Sequence, residues 1–157
     1  MTKSTKLIFV FIILAIAAVV GVYNRTTENF INKAEAKNEM KDSLKVGKWV
    51  EYMDSSFDVI PDTNAPFYKL TFYKKGQPFG IQRWYFKNGK LRGEYPYTNG
   101  KADGMVKEYY ESGKLLNEIH YNDDKEIGLT KAYYENGNVK NESPFIDGKA
   151  NGVVKNY

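Results

Sequence analysis

The feature that most constrains the fold is a repeat with a period of 24 residues in the C-terminal part of the chain. Glycine recurs at this spacing, at Gly80, Gly104, Gly128 and Gly152. Three more columns keep the same phase: Tyr85/Tyr109/Tyr133/Tyr157, Gly89/Gly113/Gly137 and Glu94/Glu118/Glu142. Several columns in one phase do not arise by chance. The chain is therefore a repeat array, in which each unit contacts mainly its neighbours.

Each unit has the pattern of an antiparallel β-hairpin. In the first full unit, residues 81–86 are mostly aromatic and apolar, Asn88-Gly89 forms a tight-turn pair, and residues 91–97 return. Asn-Gly favours a two-residue turn with positive φ at both positions. The sequence thus predicts an all-β meander of roughly nine short strands over 46–157. A degenerate first copy starts at Gly47 and carries an insertion before Phe67.

A two-residue turn determines which side chains face each other across the hairpin. It pairs Arg83 with Glu94, and the equivalent pairs are Lys107–Glu118 and Lys131–Glu142. Each such pair contributes about 0.2–1 kcal/mol. The opposite face would then carry Trp84, Phe86, Leu91, Tyr95, Val106, Tyr110, Leu115 and Ile119. A three-residue turn with a bulge would instead shift the pairing by one residue and separate the charges.

Residues 1–23 have the pattern of a membrane signal. Lys3 and Lys6 precede an uncharged run over 7–22, which as a helix spans about 24 Å against a hydrocarbon core of about 30 Å. The small residues Ala15, Ala17 and Ala18 lie inside the run, and residues 19–23 that follow them make a poor cleavage site. We therefore prefer an uncleaved anchor, with a cleaved signal peptide as the alternative. An anchor with a cytoplasmic N-terminus places the rest outside the cytoplasm, periplasmic or extracellular. Cleavage would give a secreted protein.

Residues 24–45 link this segment to the repeats. They are polar, carry nearly balanced basic and acidic residues, and contain many helix formers from Glu28 onward. Their apolar residues are too sparse for a strong core stripe. We predict a short helical stalk.

The repeat resembles a known family. Gly-x-x-x-x-Tyr-Tyr is followed by x-Asn-Gly-x-Leu, x-x-Glu-x-x-Tyr and x-Asn-Gly-Lys-x-x-Gly, and the best copy is 104–128. The pattern resembles the bacterial variant of the MORN (membrane occupation and recognition nexus) repeat. The resemblance implies an elongated stack of β-hairpins for protein or membrane-surface contacts, with no catalytic residues. Bacterial members are often labelled antitoxin-like, which implies an antitoxin or immunity role as a further alternative.

Composition excludes several kinds of chemistry. The chain has no cysteine and a single histidine, His120, so disulfides, thiolate metal sites and a His-based metal cluster are excluded. No histidine partners a serine or glutamate within its own unit, and we expect no enzyme, no cofactor and no metal. The net charge is +4, but basic and acidic residues alternate. This pattern indicates no nucleic-acid partner.

Aromatic residues supply the candidate binding surface. In Tyr109-Tyr110 and Tyr133-Tyr134 the two rings must point to opposite faces of the sheet. We predict that Tyr85, Tyr109 and Tyr133 belong to the core, whereas a binding surface consists of Trp84, Phe86, Tyr95, Tyr110 and Tyr134. The insertion is the candidate recognition loop, with Asp54, Asp58 and Asp62.

These patterns predict a non-enzymatic module that binds a protein partner at the cell envelope, tethered through residues 7–22 or exported. The alternative is a glycan- or lipid-headgroup-binding surface protein that uses the same tyrosines.

Overall fold

The computed structural model describes residues 30–157. They contain one short 3-10 helix, Lys33–Glu35, and thirteen strands: β1 (Glu39–Lys41), β2 (Leu44–Met53), β3 (Val59–Ile60), β4 (Phe67–Lys74), β5 (Gln77–Phe86), β6 (Leu91–Thr98), β7 (Lys101–Ala102), β8 (Gly104–Tyr109), β9 (Leu115–Asn122), β10 (Lys125–Tyr133), β11 (Val139–Ile146), β12 (Lys149–Ala150) and β13 (Lys155–Asn156). No helix in this part of the chain is long and apolar enough to cross a membrane. The predicted anchor or signal segment over 1–23 lies outside the described residues.

All thirteen strands belong to one antiparallel sheet. Its main path runs β1-β2-β4-β5-β6-β8-β9-β10-β11-β12, while β3 pairs with β2, β7 with β6 and β13 with β11. The predicted all-β hairpin meander is confirmed. The strands outnumber the expected nine because β3, β7, β12 and β13 are separate two-residue segments.

The predicted two-residue turn at the hairpin tip is wrong. The Gly89 N–H donates to the Phe86 carbonyl and the Phe86 N–H to the Lys90 carbonyl, both at 2.9 Å. The loop is therefore three residues long, and of these only Gly89 has a positive φ, +86°. This is a type I turn closed by a glycine in the left-handed region.

A one-residue bulge compensates for the longer loop. Trp84 pairs with Gly93, but the next residue, Tyr85, pairs with Leu91, so Arg92 is the extra residue. Bulges at the equivalent positions shift β8–β9 and β10–β11 in the same way. Loop and bulge together restore the expected register, so the residues of all three predicted pairs lie opposite each other: Arg83–Glu94, Lys107–Glu118 and Lys131–Glu142. The first and third also form salt bridges, at 2.9 and 3.3 Å.

The two-residue turns with two positive φ angles lie instead at the connections between hairpins. Within residues 80–157 they are Asn99-Gly100, Asp123-Asp124 and Asp147-Gly148, and Lys75-Gly76 forms the same turn between β4 and β5. After the first of these connections, Gly104 has φ +123°, and a Cβ there would lie 3.0 Å from the Pro96 side chain. A side chain at Gly104 would therefore be both strained and crowded, which explains the glycine there.

The paired charges join into one row across the sheet, which we call the charge ladder. Glu94 pairs with Lys107 on its other side, Glu118 with Lys131, and Glu142 with Lys155. The ladder therefore alternates in sign across seven strands: Arg83, Glu94, Lys107, Glu118, Lys131, Glu142 and Lys155. We call the face that carries it the ladder face, and the opposite face, with Trp84, the aromatic face.

The bulge also determines toward which face of the sheet the first side chain of the return strand points. Leu91 lies opposite Tyr85 and packs with it on the ladder face. Leu115 lies likewise opposite Tyr109. The prediction that Leu91 and Leu115 join Trp84 on the aromatic face is wrong, because the extra bulge residue reverses the alternation of side chains.

The predicted helical stalk is also wrong over residues 30–45. These residues form the 3-10 helix, strand β1 and the start of β2, whereas 24–29 lie outside the described residues. Phe30 is fully buried against Tyr68, Leu70 and Tyr85. Burial of one large aromatic ring contributes about 2–3 kcal/mol, so this single side chain draws the segment onto the sheet despite its polar composition.

Phe30 also terminates the charge ladder. On β4, Leu70 lies opposite Arg83 where the later units have a glutamate. The Arg83 guanidinium donates to Glu94 at 2.9 Å on one side and to the Phe30 carbonyl at 3.4 Å on the other. The carbonyl thus replaces the missing carboxylate, and the segment Phe30–Asn38 forms the N-terminal cap of the array.

Tyrosines beside the ladder are partly core, as predicted. Tyr85 is buried and stacks on Tyr68 with ring centroids 4.9 Å apart, whereas Tyr109 and Tyr133 are half-buried. The Tyr133 hydroxyl donates to Glu118 at 2.7 Å. Desolvation and this hydrogen bond raise the pKa of Tyr133 to about 12, so the phenol keeps its proton and its hydrogen bond even at about pH 10, where a free tyrosine is half ionised.

The ladder should stabilise the fold most where it is buried. The side chain of Arg83 is 10% exposed and that of Lys131 37%. We expect Arg83→Met to lower the free energy of unfolding by about 2–4 kcal/mol, because it removes the buried guanidinium that donates to both Glu94 and the Phe30 carbonyl. The matched variant Lys131→Met should cost less than about 1 kcal/mol. Urea unfolding measures both, and equal losses would contradict a burial-dependent ladder.

Candidate functional site

The five residues of the predicted binding surface all lie on the aromatic face. Trp84 on β5 pairs with Gly93 on β6, which pairs in turn with Glu108 on β8, so these three residues lie on the same face of the sheet. The pairing continues through Asn117 to β10. Trp84, Phe86, Tyr95, Tyr110 and Tyr134 therefore share one face, but they do not form one continuous patch.

Trp84 and Tyr95 form a tightly constrained pair. Their ring centroids are 5.6 Å apart. The Trp84 indole N–H donates to Gln82 at 2.7 Å, and the Tyr95 hydroxyl donates to Glu108 at 2.6 Å. Burial, and next the hydrogen bond to Glu108, raise the pKa of Tyr95 well above its usual range. Both polar groups are already used within the fold, so this pair supports the surface rather than presenting free donors.

The insertion folds back onto this pair through Phe57. The Phe57 ring centroid lies 5.1 Å from that of Phe67 and 5.6 Å from that of Trp84. The Arg92 guanidinium lies over Phe57 at 4.6 Å. Phe57 has φ +66°, a conformation that costs a non-glycine residue energy and persists only where packing stabilises it.

The three aspartates of the predicted recognition loop have different environments. Asp54 accepts hydrogen bonds from the backbone of Ser56 and Asp58 at 2.8 and 3.0 Å, and Asp62 accepts one from Asn64 at 2.8 Å. The Asp54 carboxylate holds the turn that contains Phe57, and the Asp62 carboxylate holds the turn that leads to Ala65. The Asp58 side chain is exposed. Residues 30–157 contain no group of three or more His, Asp or Glu side chains arranged to hold a metal ion.

A shallow depression lies between the insertion and the first two hairpin tips, and we call it the tip depression. Its floor is apolar, with Pro66, Phe67 and Phe86, and its rim is polar, with Lys87, Asn88 and Glu111. Asn88 donates to the Glu111 carboxylate at 2.6 Å, and the Lys90 ammonium donates to the Glu111 carbonyl at 2.9 Å. These bonds tie neighbouring tips together and hold the rim in place. Of the predicted surface, Phe86 alone lines this depression.

Tyr110 and Tyr134 lie farther along the aromatic face. The Tyr110 hydroxyl donates to the Tyr133 carbonyl at 2.7 Å, and the Tyr134 hydroxyl to the Tyr157 carbonyl at 3.3 Å. Each hydroxyl thus links one hairpin to the next. The Tyr134 side chain nonetheless remains 42% exposed.

Comparison with known proteins identifies the repeats. A family model described as a MORN repeat variant matches residues 80–99, 102–123 and 126–147. Residues 80–147 are a MORN-repeat array. MORN repeats are generally modules for protein or membrane interaction, and the family is generally non-enzymatic. A search of the curated proteins finds no match to the chain.

The residues that sequence reasoning missed lie outside the repeating columns. Three of them, Phe57, Pro66 and Phe67, belong to the insertion or its end, where the chain does not follow the 24-residue repeat. Arg92 is the bulge residue, and its side chain reaches the aromatic face. The Asn-Gly tip, which also forms three-residue loops with a bulge, was the one signal that could have indicated its position.

Gly93 should be required for the Trp84–Tyr95 pair. A Cβ at Gly93 would lie 2.8 Å from the Tyr95 ring. We expect Gly93→Ala to displace this ring, shift Trp84 fluorescence to longer wavelength and lower the free energy of unfolding by about 1–3 kcal/mol. The measurement uses a Trp49→Phe background, so that Trp84 is the sole indole.

The matched control is Asn141→Ala, which changes the equivalent column two units along the array. It should leave the Trp84 emission unchanged. An unchanged spectrum for Gly93→Ala as well would show that the Tyr95 ring accommodates the methyl group.

Proposed function

We propose that the chain is a non-enzymatic interaction module that binds a protein partner at the cell envelope through its aromatic face. The tip depression is the observation that carries this proposal. An apolar floor within a polar rim is the arrangement found at the centre of protein interfaces. Aromatic side chains such as Phe67 and Phe86 are also typical anchors of binding energy.

The insertion, which occurs only in the first unit, distinguishes this surface from the rest of the aromatic face. Phe57 and Arg92 build one side of it, and the exposed Asp58 carboxylate lies in the same loop. Tyr110 and Tyr134 extend the aromatic face toward the later repeats. A partner that spans several units would meet these rings in succession.

The repeated glutamates support a non-enzymatic role. Glu94, Glu118 and Glu142 each lie between two basic residues of the charge ladder. Opposite charges that face each other across neighbouring strands stabilise a sheet. Their recurrence is therefore explained by the architecture of the sheet.

Residues 7–22 are the proposed tether. The run is uncharged and follows two lysines, which favours a cytoplasmic N-terminus and an array outside the cytoplasm. In this arrangement the MORN repeats would hold a partner close to the membrane surface.

Photo-crosslinking in living cells tests the binding surface. A photoreactive residue at Phe86 or Tyr134 should yield a discrete protein adduct, because both positions lie on the proposed contact face. A matched position at Lys149, which is exposed near the hairpin connections, should yield none. The adducts are identified by mass spectrometry.

Reversing the rim charges provides a second comparison. Lys87→Glu combined with Glu111→Lys should weaken the adduct at Phe86 several-fold, because the rim positions the partner. Lipid or glycan adducts instead of a protein would contradict the proposal and favour a headgroup or glycan surface. The absence of any adduct from both positions would also overturn it.

Selective labelling tests the proposed location. The chain has no cysteine, so Lys114→Cys at an exposed hairpin tip introduces a single thiol. In intact cells, a membrane-impermeant maleimide should label this thiol, while the unsubstituted chain remains unlabelled. Labelling that requires cell lysis would place the array inside the cytoplasm.

A further inference from the structure

The two halves of the array differ in how well their faces are covered. The segment Phe30–Asn38 covers the ladder face at the N-terminal end, and the insertion packs on the aromatic face there. Among residues 107–157, all of which the structure describes, no residue is buried. A single sheet layer normally buries one face against a second layer. The ladder face of the later repeats has no such layer within the described residues.

Exposed apolar side chains lie on this uncovered part of the ladder face. Met105 and Leu129 occupy the same column of successive units and are 45% and 46% exposed. Met105 pairs with the exposed His120, and Leu129 with Pro144. Each pair lies two residues beyond the charge ladder on its own hairpin, and we call the two pairs together the apolar row. The row is interrupted between β9 and β10, where a bulge pairs His120 with Ile127. Exposed apolar side chains grouped in this way mark interaction surfaces.

The charge ladder of this region is complementary to itself. Its members beyond Arg83 alternate in sign and are even in number: Glu94, Lys107, Glu118, Lys131, Glu142 and Lys155. Read in the reverse direction, every position carries the opposite charge. A two-fold axis parallel to the strands, between β9 and β10, would therefore place each cation over an anion of a second copy.

We propose that two copies of this chain associate through their ladder faces about this axis. Glu118 then meets Lys131 of the second copy, and Lys107 meets its Glu142. Because the axis runs along the strands, each row faces its own equivalent. The apolar row meets the apolar row, with Met105 over Pro144 and His120 over Leu129. This goes beyond the proposed function, since it uses the other face of the sheet.

The remaining side chains of the face also match under this symmetry. On the far side of the ladder, Tyr109 meets Val139 and Leu115 meets Tyr133. Each contact brings a ring against an aliphatic side chain. No like charges therefore meet in any of the three rows.

The N-terminal cap fits beside such a dimer. The second copy would cover β6, β8, β9, β10, β11 and β13, and its last strand would lie over β6. Arg83 on β5 is the one ladder member left out, and it is already satisfied by the Phe30 carbonyl. The segment Phe30–Asn38 thus ends the shared surface without obstructing it.

The contact area indicates a dissociable dimer. Six strands about 4.8 Å apart, each contributing about five residues of 3.3 Å, cover about 500 Å² of each copy. The total of about 1,000 Å² is near the lower limit for specific interfaces. We therefore expect association that depends on protein concentration.

Sedimentation of the full chain in a non-ionic detergent tests the association. The unsubstituted chain should shift from monomer to dimer as its concentration rises. Met105→Asp with Leu129→Asp should abolish the shift, because carboxylates would face the apolar row of the second copy. The matched control Tyr134→Ser, on the aromatic face, should dimerise as the unsubstituted chain does.

Single-cysteine crosslinking tests the geometry independently of those variants. Under the proposed symmetry the two copies of His120 have Cα atoms about 11 Å apart, one strand spacing sideways across two sheets about 10 Å apart. His120→Cys should therefore be joined to a second copy by a short bis-maleimide. Lys140→Cys, which lies by Tyr134 on the aromatic face, should not.

Three results would overturn the proposal. They are a chain that stays monomeric over the whole concentration range, a dimer unaffected by the two aspartates, and equal crosslinking at His120 and Lys140. The second and third would locate any association elsewhere, for instance at residues 7–22. None of them alters the adducts expected at Phe86, so this proposal and the proposed function can fail separately.

Discussion

The register of the hairpins is the constraint on which the rest of the structure depends. A three-residue loop alone would move every later residue of the return strand to the other face. The bulge at Arg92 and its equivalents restores the original parity. Only with this compensation do the basic and the acidic residue of every unit lie opposite each other on one face of the sheet. The charge ladder, the positions of the tyrosines and the existence of a separate aromatic face all follow from it.

The repeating part of the fold can be predicted from the sequence, whereas the departures from the repeat cannot. Columns of glycine, tyrosine and glutamate predict the strands, the pairing partners and the MORN family, because each column reflects one requirement met several times. The loop length could not be read from Asn88-Gly89, since this pair suits both a two-residue and a three-residue turn. The faces of Leu91 and Leu115 were consequently assigned incorrectly.

The candidate site shows a similar division. Phe86, Trp84 and Tyr95 are found from the repeat, and they do lie on one face. Phe57 and Pro66 could not be found in this way, because the insertion occurs once and has no phase against which to compare it. Phe30 was likewise read as part of a polar stalk. A single buried ring outweighs the helix propensity of its neighbours, and propensity alone gives no information about such a tertiary contact.

The composition of the charge ladder also bears on how long such an array can be. Each complete unit contributes one cation and one anion, together with its own loop, bulge and connecting turn. Gain or loss of a whole unit in the interior would leave the net charge of the ladder unchanged and every remaining pair intact. The first unit differs, because its Leu70 is buried by Phe30 from the segment that packs on the ladder face. Duplication within the gene could therefore lengthen the protein in steps of 24 residues, provided that the capped unit remained at its start.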